Sequence, residues 1–147
     1  MAEIWMNSPV WDLPLLVVDD DAMVRGVVVD YLKDIGFTSI LEAKNSQQGL
    51  KMIQNSKFPI GLVLSDWEMP GVSGLVLLKA LRKNPHRKGT RFVMITSQRS
   101  MEKFKITQAA QWKVNAYIIK PFTCAVLREK IWQVMDWEDS DERKISG

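Results

Sequence analysis

Ile60-Gly-Leu-Val-Leu-Ser-Asp66-Trp-Glu-Met-Pro-Gly71 decides the fold. Its opening half is apolar without alternating polar positions, the pattern of a β-strand covered on both faces. The run stops at an acid and breaks into Pro-Gly, which is loop punctuation. Leu13 to Val18 repeats this arrangement and stops at Asp19-Asp20-Asp21. Strands buried on both faces need helices above and below, and the intervening segments supply them.

From Asp21 to Ile35 the residues Met23, Val24, Val27, Val28, Tyr31, Leu32 and Ile35 recur at three- and four-residue steps, with Gly36 as a C-cap. Thr38 to Ala43 reads as a second strand and Asn45 to Asn55 as a second helix. After the strand at Ile60, Ser73 can cap a helix through Leu75, Leu78 and Leu81 that ends before Pro85. Phe92 to Ile95, Met101 to Trp112, Ala116 to Ile119 and Thr123 to Met135 complete five strand-helix units. Crossovers of this length predict a parallel sheet in a three-layer α/β sandwich.

The chain has 147 residues, a length suited to one domain, and its 46% hydrophobic content is enough for a core. The single cysteine, Cys124, excludes an internal disulfide. With His86 as the only histidine there is no Cys/His cluster for zinc. No apolar run approaches the roughly 18 residues of a membrane span, and the first residues lack the features of a signal peptide. A soluble protein of the reducing cytoplasm is the expectation, with no membrane insertion.

In open parallel sheets ligands bind beyond the carboxyl ends of the strands. Those ends carry Asp19-Asp20-Asp21, Ser65-Asp66, Thr96-Ser97 and Lys120-Pro121. Carboxylates gathered at one edge repel one another unless a cation neutralises them, and oxygen-only ligands select Mg²⁺ or a similar hard ion. A carboxylate beside such an ion, with a lysine and a hydroxyl on adjoining strands, suits phosphoryl transfer. Asp66, alone at its strand end, is the natural nucleophile, whereas Asp19 and Asp20 are paired as metal ligands would be.

Val17-Val-Asp-Asp20, Ser65-Asp-Trp-Glu-Met-Pro70, Met94-Ile-Thr-Ser97 and Tyr117-Ile-Ile-Lys-Pro-Phe-Thr123 resemble, in order and spacing, the signature blocks of the CheY-like receiver domains of response regulators. The resemblance covers about Leu13 to Met135. It implies a flavodoxin-like (βα)5 fold with a five-stranded parallel sheet in the order 2-1-3-4-5. It makes Asp66 the phosphoacceptor. Asp20, Asp66 and the backbone carbonyl of Glu68 would bind Mg²⁺, with Asp19 acting through water. Thr96 and Lys120 would hold phosphoryl oxygens, Thr96 and Tyr117 would move on phosphorylation, and Lys120-Pro121 would be cis. A sensor histidine kinase or a histidine phosphotransfer protein would be the donor. A downstream protein target would be met through the fourth helix, fifth strand and fifth helix, a surface that could also make a homodimer.

The pattern is not followed everywhere. Glu68 stands where the CheY pattern has asparagine, Gln98 replaces a glutamate two residues after Thr96, and Ser73-Gly74 replaces Asp-Gly. The first two flank the path of the hydrolytic water and so bear on the lifetime of an aspartyl phosphate. Two other readings are a haloacid-dehalogenase-like phosphatase using Asp19-x-Asp21, which lacks that family's later acid pair, and a pseudo-receiver that binds without being phosphorylated.

Blander roles fit several residues. Asp21 reads as an N-cap, Trp67 and Met69 as packing, and Cys124 as a small filler. Arg82, Lys83, His86, Arg87, Lys88 and Arg91 form a basic run that reads as a solvated loop, and no nucleic-acid partner is expected. Trp132 reads as an outward-facing residue on the fifth helix and so as part of an interaction surface. The receiver is expected at 13–136, flanked by an N-terminal extension, 1–12, and an acidic tail, 137–147, with no output domain. Ile4, Trp5, Met6, Val10 and Trp11 are too apolar for a free tail, and are expected to cover a surface of this domain or of a neighbour.

Overall fold

The strand-helix alternation closes into a three-layer sandwich in the computed structural model, which describes residues 10–97 and 103–138. The strands are β1 (Leu15–Val18), β2 (Ile40–Ala43), β3 (Leu62–Asp66), β4 (Arg91–Ser97) and β5 (Ala116–Lys120). They form one sheet in the order 2-1-3-4-5 with every pairing parallel. The helices are α1 (Ala22–Ile35), α2 (Ser46–Gln54), α3 (Gly74–Lys83), α4 (Lys103–Gln111) and α5 (Cys124–Val134).

Strand periodicity divides the core into two layers. Leu15, Val17, Leu62, Leu64, Val93 and Ile95 face α1 and α5, where they meet Val28, Leu32, Leu127 and Ile131. Leu16, Val18, Val63, Phe92 and Met94 face the other way, onto Ile53 of α2, Leu77, Leu78 and Leu81 of α3, and Ala109 of α4. Each fully buried leucine or isoleucine contributes about 1.5–3 kcal/mol of transfer free energy, so the continuous apolar runs are the main stabilising feature.

Local chemistry sets the helix ends. The Asp21 carboxylate caps α1 by accepting from the Met23 and Val24 amides at 2.9 and 3.2 Å. Asn45 and Thr123 cap α2 and α5 in the same way. Ser73 occupies the cap position of α3 without a side-chain hydrogen bond. Gly74 is required beside it, because a Cβ there would collide with the Asp66 carbonyl oxygen. Gly36 ends α1 at φ 129°, with the Trp11 ring lying against its Cα.

Three expectations need correction. Trp132 does not face outward: it is 4% exposed, packed among Trp11, Phe37 and Trp137, with the Arg128 guanidinium 4.1 Å from its ring centre. The extra coverage comes from residues outside the strand-helix repeat, which a helix-by-helix reading does not anticipate. The basic run is not merely solvated, since Arg87 is 4% exposed and donates to the carbonyls of Met52, Ile53, Asn55 and Phe58. The second strand begins at Ile40 rather than Thr38, because the Thr38 amide and hydroxyl both donate to the Trp11 carbonyl instead of to the sheet.

That last contact shows what the end of the N-terminal extension does. Val10 and Trp11 cover this domain, Val10 entering the core and Trp11 lying edge-on to Phe37. Ile4, Trp5 and Met6 lie outside the described residues, as do Gln98 and the tail from Asp139 onward. Among the described residues no helix is long and apolar enough to cross a membrane.

Candidate functional site

The parallel register places the ends of β1, β3, β4 and β5 along one edge. Asp19 and Asp20 follow β1, Asp66 ends β3, Thr96 is the penultimate residue of β4 and Lys120 ends β5. One carboxylate oxygen from each of Asp19, Asp20 and Asp66 falls within a set no more than 4.8 Å apart. Lys120 Nζ lies 3.1 Å from Asp66 Oδ1 and 3.6 Å from Asp19 Oδ2. The Lys120-Pro121 peptide bond is cis.

Burial dominates the electrostatics. Asp19 is 3% exposed and Asp66 is partly buried. Desolvation pushes both carboxyls above their ordinary values, and neighbouring carboxylates add to it, Asp20 and Asp21 at Asp19 and Asp19 and Asp20 at Asp66. Lys120 opposes this at both residues, and the Asp21 amide, donating to Asp19 Oδ1 at 2.9 Å, opposes it at Asp19. One ammonium therefore does not neutralise the group. The donor set is oxygen-only, anionic and under-compensated, which is the chemistry that suits a hard divalent cation.

The backbone around the cluster is tied down. Ser65 is buried and its hydroxyl donates to the Asp66 carbonyl at 2.9 Å, while the Trp67 amide donates to the Ile95 carbonyl at 3.1 Å. Arg25 of α1 donates to the Asp19 carbonyl at 2.7 Å and pairs with Glu42 at 3.2 Å. Arg25 was not singled out from sequence; its place one turn into the helix after the acids was the available signal.

Thr96 and Tyr117 reach this edge differently. Thr96 is buried and its hydroxyl donates to the Ser97 carbonyl at 3.3 Å. Tyr117 stacks on Trp67 at a centroid distance of 6.1 Å and an angle of 11°, and its hydroxyl donates to the Ile106 carbonyl of α4 at 3.4 Å. Burial raises its phenol pKa. The Glu68 carboxylate is exposed and pairs with Lys105 of α4 at 2.7 Å, so the loop after Asp66 is tied to α4 by an ion pair that sequence reading missed.

The remaining assignments separate from the cluster. Asp21 serves as a helix cap, Trp67 and Met69 are buried packing residues, and Trp132 belongs to the aromatic group at the other end of the sheet. The Cys124 thiol, 3.6 Å from the Tyr31 carbonyl, has its pKa raised by burial and by Asp34, which disfavours a reactive thiolate.

Residues 15–132 match the sequence profile of the response regulator receiver domain. The chemotaxis protein CheY of Pseudomonas aeruginosa is 36% identical over 124 residues, covering 84% of this chain and 97% of the relative. Chemotaxis protein CheY-3 of Vibrio cholerae is 38% identical over 125 residues, covering 85% and 93%. Among solved structures, chemotaxis response regulator CheY4 of Vibrio cholerae superposes with a TM-score of 0.73 at 25% identity over 84% of this chain and 98% of that one. A CheY-like receiver domain protein from Methanospirillum hungatei gives 0.75 at 27% identity over 90% and 98%.

Proposed function

Because this chain belongs to the response regulator receiver domain family and is homologous to the CheY chemotaxis response regulators, we propose that it switches by accepting a phosphoryl group on Asp66. The observation that carries this reading is the convergence of Asp66 with Asp19, Asp20 and Lys120 at the carboxyl edge of the sheet. In the transfer an Asp66 carboxylate oxygen attacks phosphorus, the phosphorus–nitrogen bond of a phosphohistidine breaks, and the imidazole leaves with that electron pair. Lys120 contacts Asp66 and, in this reading, holds a phosphoryl oxygen as charge moves onto it. Thr96, buried on the neighbouring strand, supplies a hydroxyl that must exchange its bond to the Ser97 carbonyl for one to the phosphoryl group.

Mg²⁺ fits the donor set. Asp20, Asp66 and the backbone carbonyl of Glu68 would hold it, with Asp19 reaching it through water. When bound, it neutralises the carboxylates and the incoming phosphoryl oxygens. The donor is a sensor histidine kinase or a histidine phosphotransfer protein, which places the event in the cytoplasm.

The switch reaches the surface through Thr96 and Tyr117. Thr96 pairs with Ile119, two positions along β5 from Tyr117, and the Tyr117 hydroxyl tethers β5 to α4, so a rearrangement at Thr96 would reach the α4–β5–α5 face, the output surface for a protein target or a second copy. Ile119 and Val126, 44% and 39% exposed, supply the apolar contacts there that Trp132 does not. The phosphatase alternative is not favoured, because Asp21 is committed to capping α1 and stands outside the acidic cluster.

Labelling with acetyl phosphate tests the assignment. Incorporation is expected to require Mg²⁺ and to vanish in Asp66→Asn; a label that survives this substitution overturns the site.

A further inference from the structure

Charge is strongly segregated along this chain. Residues 69–115 hold ten lysines and arginines against one acid, Glu102, a net of +9, whereas the whole chain carries +3. The fold gathers five of these cations, Arg82, Arg87, Lys88, Arg91 and Lys113, around one cavity of about 540 Å³ at the amino edge of β4 and β5. This is the edge opposite the acidic cluster.

Two of the five are anchored in the protein. Arg87 spends four hydrogen bonds of 2.6–3.1 Å on backbone carbonyls at the end of α2 and in the loop after it. Arg82 donates to the carbonyls of Thr90, Trp112 and Lys113 and to Asn115 Oδ1 at 2.7–3.2 Å. All these acceptors are neutral. Burial lowers the pKa of both guanidiniums, and Arg91 lowers that of Arg82 further. The C-termini of α2 and α4 return about half an elementary charge each, roughly one negative charge against five positive. Among the described residues none of the five has a carboxylate within 4.0 Å.

We propose that this cavity is a binding site for a compact polyanion, an oligophosphate chain. Lys88, Arg91 and Lys113 make the direct contacts, while Arg82 and Arg87 hold the walls and add fixed positive potential. A monoanion would leave most of the charge uncompensated, whereas several linked phosphates match it within a concave site of this size. The lining contains no aromatic ring, so there is no platform for a nucleobase, and the phosphates are what is recognised. The site lies at the amino end of β4 and β5, the two strands whose carboxyl ends carry Thr96 and Lys120.

The test is calorimetric titration of the full chain with inorganic tripolyphosphate, in EDTA and at constant ionic strength. Saturable one-to-one binding is expected, and sulfate at matched ionic strength should not reproduce it. The double variant Lys88→Gln/Lys113→Asn should bind at least tenfold more weakly while keeping Mg²⁺-dependent acetyl phosphate labelling. Asparagine is chosen at 113 because the residue has φ 58°. ATP binding as tightly as tripolyphosphate is expected if the phosphates alone are recognised, whereas ATP binding tenfold tighter shows recognition of the nucleoside and overturns the phosphate-only reading. Absence of saturable binding, binding unchanged in the double variant, or tighter binding of duplex DNA or poly-glutamate overturns the proposal.

Discussion

Asp66 and Asp19 are carboxylates kept in a place that favours their neutral forms. Both have pKa values raised by desolvation more than Lys120 lowers them. A raised folded-state pKa means that the native protein binds more protons than the unfolded chain within the affected window. Their contribution to stability is full at acid pH and is lost as pH rises from the ordinary carboxylate range through the raised values. Without divalent metal, Asp66→Asn should therefore be more stable than the parent at pH 7. A gain of about 1 kcal/mol would raise Tm by about 2–4 °C in a domain of this size. The gap should narrow toward pH 4. Thermal unfolding in EDTA across that range measures it, and a variant that melts below the parent at pH 7 contradicts an under-compensated acidic cluster. This edge was legible in the sequence because β1, β3, β4 and β5 end in or run into Asp19, Asp20, Asp66, Thr96 and Lys120. The Glu68–Lys105 pair was not, since a contact across 37 positions leaves no periodic trace.

The continuous apolar runs at Leu13 to Val18 and Ile60 to Leu64 made the strand-helix alternation legible, and the ten regular elements lie where periodicity placed them, within a few residues at their ends. The strand order came through family resemblance, because hydropathy records burial but not which strand is the neighbour. The basic run shows another limit: composition cannot distinguish a solvated arginine from one closing the end of a helix. Arg87 does the latter, joining the end of α2 to the connection between α3 and β4. Arg87→Met would leave four carbonyls without their charged donor. Hydrogen bonds to charged groups are worth about 1.5–3 kcal/mol, and partial access of water to the vacated carbonyls reduces the sum, so a net loss of about 3–5 kcal/mol is expected. Urea unfolding should show a lower midpoint with little change in slope. Arg87→Lys should recover only part of the loss, because an ammonium cannot span the same acceptors. Full recovery by lysine would mean that charge alone, rather than the guanidinium fork, holds this junction.

At the scale of the molecule, the two ends of the sheet carry different duties. Its carboxyl edge gathers under-compensated carboxylates beside a stacked Trp67–Tyr117 pair, where the proposed phosphorylation of Asp66 would add charge. The far end is fastened by aromatic packing: Trp11, Phe37, Trp132 and Trp137 stand with neighbouring ring centres 5.0–6.2 Å apart. Trp11 and Trp137 come from segments that sequence reading assigned to the flanking extensions, yet they shield Trp132 and close the layer beneath α1 and α5. The folded unit therefore takes in residues on both sides of the repeat. Because stability at this end rests on packing and the proposed switch at the other rests on charge, a substitution here should alter the first without the second. Trp11→Ala removes a half-buried ring from Phe37, Trp132 and Gly36, and should cost about 2–4 kcal/mol, lowering Tm by roughly 5–10 °C. Below that temperature the variant should still accept phosphate from acetyl phosphate at the parental rate. Calorimetry and labelling of the same sample separate the outcomes. An unchanged Tm would show that Trp11 is not part of the stabilising core, and a parental Tm with slowed labelling would show that the aromatic group communicates with Asp66 instead of standing apart from it.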